Sequence, residues 1–278
     1  MLRRIISGTI YVLVVVGGIL AGSLHPWAYI AVFGLTCSLS LYEFIRLMNQ
    51  HDACHISPWL NIAAGIVLFI SGYIYFSGQC NAAAFLPWLV FFLVFCIRDI
   101  YVNPQENMHS IAYSFFAQVY ISLPMMLLSG IAFQQQDGAT VYCPELLLSL
   151  YAFIWISDTF AYLMGISLGR IFKHPFMARI SPKKTWEGFV GGVVFTLLAG
   201  YLTSLLLPSL MTTWQWMGLA LVIALSGVYG DLFASLIKRS TGVKDFGKLM
   251  PGHGGMLDRI DSSLLAIPAS VIYCYFVL

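Results

Sequence analysis

The chain has 278 residues, of which 59% are apolar and 9% charged, with a formal net charge of +2. A soluble domain carries about 25% charged residues, so this composition cannot cover a water-facing surface and excludes an ordinary soluble protein. The net charge alone points to no partner, and nucleic acid is not among those expected.

Arg3 and Arg4 precede an apolar run from Ile5 to Ala21. The run is long enough to span and the rest of the chain is equally apolar, so an uncleaved first helix is expected rather than a signal peptide. A spanning helix needs about 20 mostly apolar residues. By that measure spans are expected near 5–22, 27–48, 59–77, 84–100, 110–133, 145–167, 187–207, 214–237 and 261–278. Period-2 alternation is absent, which argues against a barrel. The predicted fold is therefore an all-α polytopic membrane protein of about nine transmembrane helices.

Lys and Arg orient these spans. With Arg3 and Arg4 in the cytoplasm, the linkers near 49–58, 98–109, 168–186 and 238–260 face it too. All 14 Lys and Arg then lie in those segments or at cytoplasmic helix ends, while the connections 23–26, 78–83, 134–144 and 208–213 hold none. The N-terminus is thus expected in the cytoplasm and the C-terminus on the opposite side. Residues 1–150 hold four Lys/Arg and six Asp/Glu, and residues 151–278 hold ten and six. We read 1–150 as a transmembrane scaffold and 151–278 as the catalytic region of one continuous membrane domain.

In the N-terminal half, Glu43 and Arg46 are three apart at a helix end and read as a local pair. Arg98 and Asp99 read as interfacial. The six cysteines are scattered without a C-x-x-C and read as small apolar packing residues. His51, Cys54 and His55 form the one cluster with metal-ligand chemistry, against the plainer reading of a short interfacial loop.

The C-terminal half carries the polar chemistry. Ser157-Asp158-Thr159 places a carboxylate ~18 Å of helix before Arg170, inside the apolar layer. Ser181-Pro182-Lys183-Lys184-Thr185 precedes the seventh span, with Ser181-Pro182 read as a helix start and the two lysines at a surface that attracts anionic lipid headgroups. On the eighth span, Asp231, Ser235 and Lys238 are four and three apart and share one helical face. Asp231 lies ~10 Å below Lys238, and an intramembrane carboxylate is a functional candidate by default. The following loop holds Lys238-Arg239, Lys244-Asp245, Pro251-Gly252-His253-Gly254-Gly255 and Asp258-Arg259-Ile260-Asp261. Basic residues neutralise phosphates, glycines let backbone N–H groups approach an anion, and paired carboxylates suit Mg²⁺ bridging to phosphates.

The run Ser235-x-x-Lys238-Arg239, Lys244-Asp245, Pro251-x-His253-Gly254-Gly255-x-x-Asp258-Arg259-x-Asp261 resembles the family motif of phosphatidate cytidylyltransferases, also called CDP-diacylglycerol synthases. The segments around Ser181–Gly188 and Ser157–Tyr162 are similar to the same family, which the chain resembles over roughly 150–265. The resemblance implies transfer of CMP from CTP to phosphatidate, releasing pyrophosphate, in a bilayer. Asp231, Lys238, Asp258 and Asp261 are the expected catalytic residues. Asp231, Asp258 and Asp261 would hold one or two Mg²⁺, with Asp158 as a further candidate ligand. Ser181, Lys183, Lys184, Ser235, Arg239, Lys244, His253, Gly254, Gly255 and Arg259 would bind substrate. A bacterial inner membrane, a cytoplasm-facing site and a candidate homodimer complete the expectation.

Two rivals use the same residues differently. A CTP-dependent lipid-alcohol kinase would release CDP instead of pyrophosphate. An ion-coupled transporter would use Asp158 and Asp231 as relays, but it predicts paired halves with interrupted helices, which the sequence does not show.

Overall fold

A computed structural model describes residues 2–51, 54–102, 108–136, 138–169, 174–250 and 254–278, with side chains from Ile6 onward. Its helices are α1 (Leu2–Gly22), α2 (Pro26–His51), α3 (Pro58–Phe76), α4 (Leu86–Val102), α5 (His109–Ala132), α6 (Pro144–Ser167), α7 (Trp186–Leu206), α8 (Thr213–Ser240) and α9 (Leu257–Val277). A 3₁₀ turn at Ala82–Phe85 leads into α4. Every expected span is helical. Among the described residues, eight helices are long and apolar enough to cross a membrane, and α1 adds an apolar stretch over Ile6–Gly22. The protein is an integral membrane protein.

The backbone divides into two compact units, Met1–Pro144 with Val243–Ile260, and Glu145–Gly242 with Asp261–Leu278. In the first unit, aromatic side chains of α2 and α3 form the core. Tyr29, Phe33, Phe44 and Phe69 are all buried, and the Tyr29 ring stacks on Phe69. Ser57 starts α3 by accepting the Leu60 N–H, with Pro58 at the first helical position. Pro124 lacks an N–H, and its ring crowds the preceding turn. The turn Gln118–Ser122 accordingly widens to a π-helix. There Gln118 Nε2 donates to the Asn61 carbonyl at 3.0 Å, which ties α5 to α3 inside the apolar layer. By contrast α4 is almost wholly uncovered, with Leu86, Leu89, Leu93 and Ile97 exposed, as a face turned to lipid would be.

The connection 134–144 is more ordered than its sequence suggests. It forms a two-stranded antiparallel hairpin, β1 (Phe133–Gln136) on β2 (Ala139–Tyr142), with Gln136 opposite Ala139. Gly138 adopts φ +81° at the turn, a conformation that glycine tolerates.

In the second unit, α7 packs by its small residues. A Cβ at Gly188 would collide with the Ala161 carbonyl of α6, and one at Gly200 with the Ala220 side chain of α8. Close backbone approach of this kind replaces the hydrophobic drive that lipid cannot supply. A capping box between Thr212 and Gln215 begins α8.

Candidate functional site

The polar face of α8 forms as its spacing predicts. Ser235 Oγ donates to Asp231 Oδ1 at 3.3 Å, one helical turn away. Asp231 Oδ2 also pairs with Lys184 Nζ at 2.9 Å, and Lys184 Nζ lies 3.3 Å from the Val228 carbonyl, to which it donates. Lys238, one turn beyond Ser235, is buried and reaches Asp261 Oδ2 at 3.8 Å.

Lys184 owes its position to the approach of the chain to α7. Residues 174–186 fold back as a narrow loop, with Phe176 N donating to the Lys184 carbonyl and Trp186 N to the His174 carbonyl. Thr185 then caps the helix by accepting the Gly188 N–H. This corrects the expected helix start. Ser181-Pro182 sits in a turn, with Ser181 N donating to the Met177 carbonyl and Lys184 N to the Ser181 carbonyl, and α7 begins only at Trp186 because Thr185 is held extended by its pairing with Pro175. Phe176, Trp186 and Phe189 cluster beneath the loop, and His174 Nδ1 lies 2.8 Å from Glu187 Oε1.

From α9 come Asp261 and Ser262. Ser262 N donates to Asp261 Oδ1 at 2.8 Å, and Ser262 Oγ to Asp158 Oδ2 of α6 at 3.3 Å. The charges of Asp231, Lys238 and Asp158 all act on Asp261. Three carboxylates and two lysines from four elements thus gather in one unit; the sequence reading grouped Asp258 with Asp231 and Asp261, but Asp258 belongs to the other unit. Ser262 was not foreseen; its position next to Asp261 was the available signal.

A cavity of about 540 Å³ opens on this cluster. Asp158, Asp231, Ser181, Lys183 and Lys184 give it a polar side, and Tyr162, Ile166, Phe176 and Phe189 an apolar one. A pocket with one wet and one greasy wall suits an anionic amphiphile.

The motif loop belongs to the other unit and is built around buried carboxylates. Asp258 Oδ2 accepts the N–H groups of Phe246 and Gly255, each at 2.9 Å. The N–H of Gly255 is thereby committed to Asp258. Gly254 takes φ +84° beside the same carboxylate. Lys244 is exposed on the loop, and Arg259 is half-buried at the start of α9. Arg239, at the end of α8, is exposed. Pro251, Gly252 and His253 lie outside the described residues, as does Arg170. Glu43 was read as a partner of Arg46. Its Oε2 instead accepts the N–H of Leu257 at 2.9 Å, across 214 residues of chain. A second cavity, of about 770 Å³, lies along Glu43, Arg46, Lys244 and Lys248.

Among the described residues no three His, Cys, Asp or Glu side chains stand close enough to hold a metal alone. This covers His51, Cys54 and His55 as well. No disulfide joins any of the six cysteines, and Cys37, Cys54, Cys143 and Cys274 are buried.

Comparison with known proteins places this geometry in context. The profile of the cytidylyltransferase family matches residues 2–277. A phosphatidate cytidylyltransferase of Staphylococcus aureus is 44% identical over 121 residues, 43% of this chain and 45% of that protein. One from Staphylococcus saprophyticus is 40% identical over 121 residues, covering the same shares. These matches span less than half the length of either relative. The Escherichia coli protein YnbB, itself uncharacterized, is 33% identical over 256 residues, 90% of this chain and 79% of its own length.

Proposed function

The chain belongs to the cytidylyltransferase family, and from that premise we propose that it transfers CMP from CTP to phosphatidate, forming CDP-diacylglycerol and pyrophosphate. The observation that carries this reading is the 540 Å³ cavity, where lysines and carboxylates face apolar side chains. It offers a lipid phosphate a place at the edge of the apolar layer. The motif resemblance and the names of the staphylococcal relatives support the same reaction.

A phosphate oxygen of phosphatidate attacks the α-phosphorus of CTP. A P–O bond forms, the bond from the α-phosphorus to the bridging oxygen breaks, and pyrophosphate leaves with those electrons. No serine or cysteine nucleophile is required. Two anions must meet, so the protein's work is to neutralise and align charge. Lys183 and Lys184 guide the phosphatidate head. Lys238 holds Asp261, and Ser235 orients Asp231. The motif resemblance assigns nucleotide phosphates to Lys244 and Arg259 of the motif loop, where Gly254 shapes the backbone, and separately names Arg239 as a phosphate-binding candidate. Asp258 holds that loop through backbone N–H groups.

Mg²⁺ fits the donors present. It takes oxygen ligands, commonly one or two carboxylates completed by substrate phosphates and water. Asp231 and Asp261, each with a lysine beside it, have that chemistry, and Asp158 adds its charge to the cluster. The ion would screen the negative charge of the phosphates during transfer. The distribution of Lys and Arg supports a cytoplasm-facing site in a bacterial inner membrane.

The test is purified protein supplied with CTP, Mg²⁺ and phosphatidate. CDP-diacylglycerol and pyrophosphate are expected in equal amounts. CDP as the nucleotide product would replace this reading with a lipid kinase, and no CTP turnover would remove it.

A further inference from the structure

We infer that Glu43, on a helix of the N-terminal half, is the positioning residue that holds the two described arms of the motif loop, Val243–Met250 and Gly254–Leu257. The inference rests on the proposed reaction only in naming what that loop does.

Glu43 is buried in α2, and a carboxylate in such a position is costly and needs a reason. Its Oε2 accepts the N–H of Leu257, the first residue of α9. The residue before it, Met256, has no side chain able to cap a helix. Glu43 supplies that cap from another helix, where negative charge also meets the favourable end of the α9 dipole. Its Oε1 has no hydrogen-bond partner among the described residues, so local pairing does not explain why a full carboxylate stands there.

The loop is moulded around this group. Gly247 and Gly255 both lie against the Glu43 carboxylate, and a Cβ at either position would collide with it. Neither glycine is in the left-handed region. The lack of a side chain there serves contact with Glu43 and not backbone freedom. Asp258 closes the loop from within by accepting the N–H groups of Phe246 and Gly255. Glu43 therefore grips the loop at Gly247, at Gly255 and at Leu257. The segment held by those grips carries Lys244 along the cavity wall beside Glu43. In the proposed reaction Lys244 and Arg259 bind nucleotide phosphates, so a displaced loop weakens CTP binding more than phosphatidate binding.

The experiment compares Glu43→Ala, Glu43→Gln, Gly247→Ala and the Glu43→Ala/Gly247→Ala pair in detergent-purified protein. Amide exchange across 244–257 and the KM for each substrate are measured. Glu43→Ala is expected to speed exchange at Leu257 and to raise the KM for CTP about tenfold, with the KM for phosphatidate unchanged. Glu43→Gln keeps an oxygen for the Leu257 N–H and is expected to restore most of the parent behaviour. Gly247→Ala is expected to be damaging in the parent and nearly silent once Glu43 is alanine, because the colliding carboxylate is gone. Parent-like exchange and KM in Glu43→Ala overturn the inference. So does equal damage from Gly247→Ala in both backgrounds, and the single Gly247→Ala variant judges it if Glu43→Ala does not fold: parent-like behaviour there also overturns it. If the parent protein turns over no CTP, the reaction fails while the exchange measurements still decide the role of Glu43.

Discussion

Replacing Asp231 with asparagine separates stability from chemistry at this site. The substitution keeps the shape and removes the charge. Asp231 lies 2.9 Å from Lys184 Nζ, with side-chain exposures of 34% and 24%. At an effective dielectric of 20 that separation gives a gross attraction of about 6 kcal/mol. Water reaches both groups, so the net value falls between the about 0–1 kcal/mol of a surface pair and the about 3–5 kcal/mol of a buried one. We take about 1–2 kcal/mol. Part of that is returned, because the neutral amide no longer repels Asp261, on which Asp231 acts electrostatically. The expected loss of stability is about 1 kcal/mol or less. Activity should fall much further. A charge that helps to stabilise a phosphoryl-transfer transition state contributes about 3–4 kcal/mol, a factor of about 10²–10³ in rate. The assay is CDP-diacylglycerol formation at saturating CTP, beside thermal unfolding followed by tryptophan fluorescence. Activity within threefold of the parent, roughly 0.6 kcal/mol, refutes the role given to Asp231. A rate loss that merely tracks unfolding refutes it as well.

Lys238→Met should be costly to the fold, since it leaves Asp261 beside Asp231 and Asp158 without its lysine; a drop of about 3–5 kcal/mol in unfolding free energy is expected, and a parent-like midpoint would count against the pair. Asp258→Ala removes the acceptor of two backbone N–H groups, so exchange at Phe246 and Gly255 should accelerate by at least about tenfold, even where helix content by circular dichroism is unchanged. Gly200→Val should weaken the contact of α7 with α8, where a Cβ already collides with Ala220, by about 1–3 kcal/mol; no change in unfolding would show that the helices separate freely. Chelating divalent ions should abolish CMP transfer and Mg²⁺ should restore it, whereas undiminished activity in excess chelator removes the metal from the proposal.

Much of this architecture was legible because apolar length is a strong signal in lipid. The helices of the described residues fall where uninterrupted apolar residues place them. The Asp231–Ser235 contact followed from four-residue spacing alone. Other features failed for identifiable reasons. The 133–142 hairpin is only four residues a side, too short for periodicity to register, although Asp137-Gly138 carries a turn signal. Ser181 and Thr185 are both plausible caps by residue type, and only the backbone pairing of Phe176 with Lys184 selects Thr185. Glu43 was assigned to Arg46 because helical spacing sees neighbours and is blind to a partner 214 residues away. Asp258 and Asp261 looked alike as two carboxylates three apart, yet one accepts two backbone amides of the motif loop and the other pairs with a lysine and the amide of Ser262.

That difference between Asp258 and Asp261 has a diagnostic use. On the proposed reaction the two aspartates answer to separate demands, one from folding and one from reactivity, though they stand within a single turn of helix. A relative that had drifted away from catalysis would still need the first to keep its loop, but it would be released from the second. Loss of the residue equivalent to Asp261 with that of Asp258 retained would therefore mark a chain that keeps this shape after giving up the reaction. Loss of both would mark one whose loop has been rebuilt.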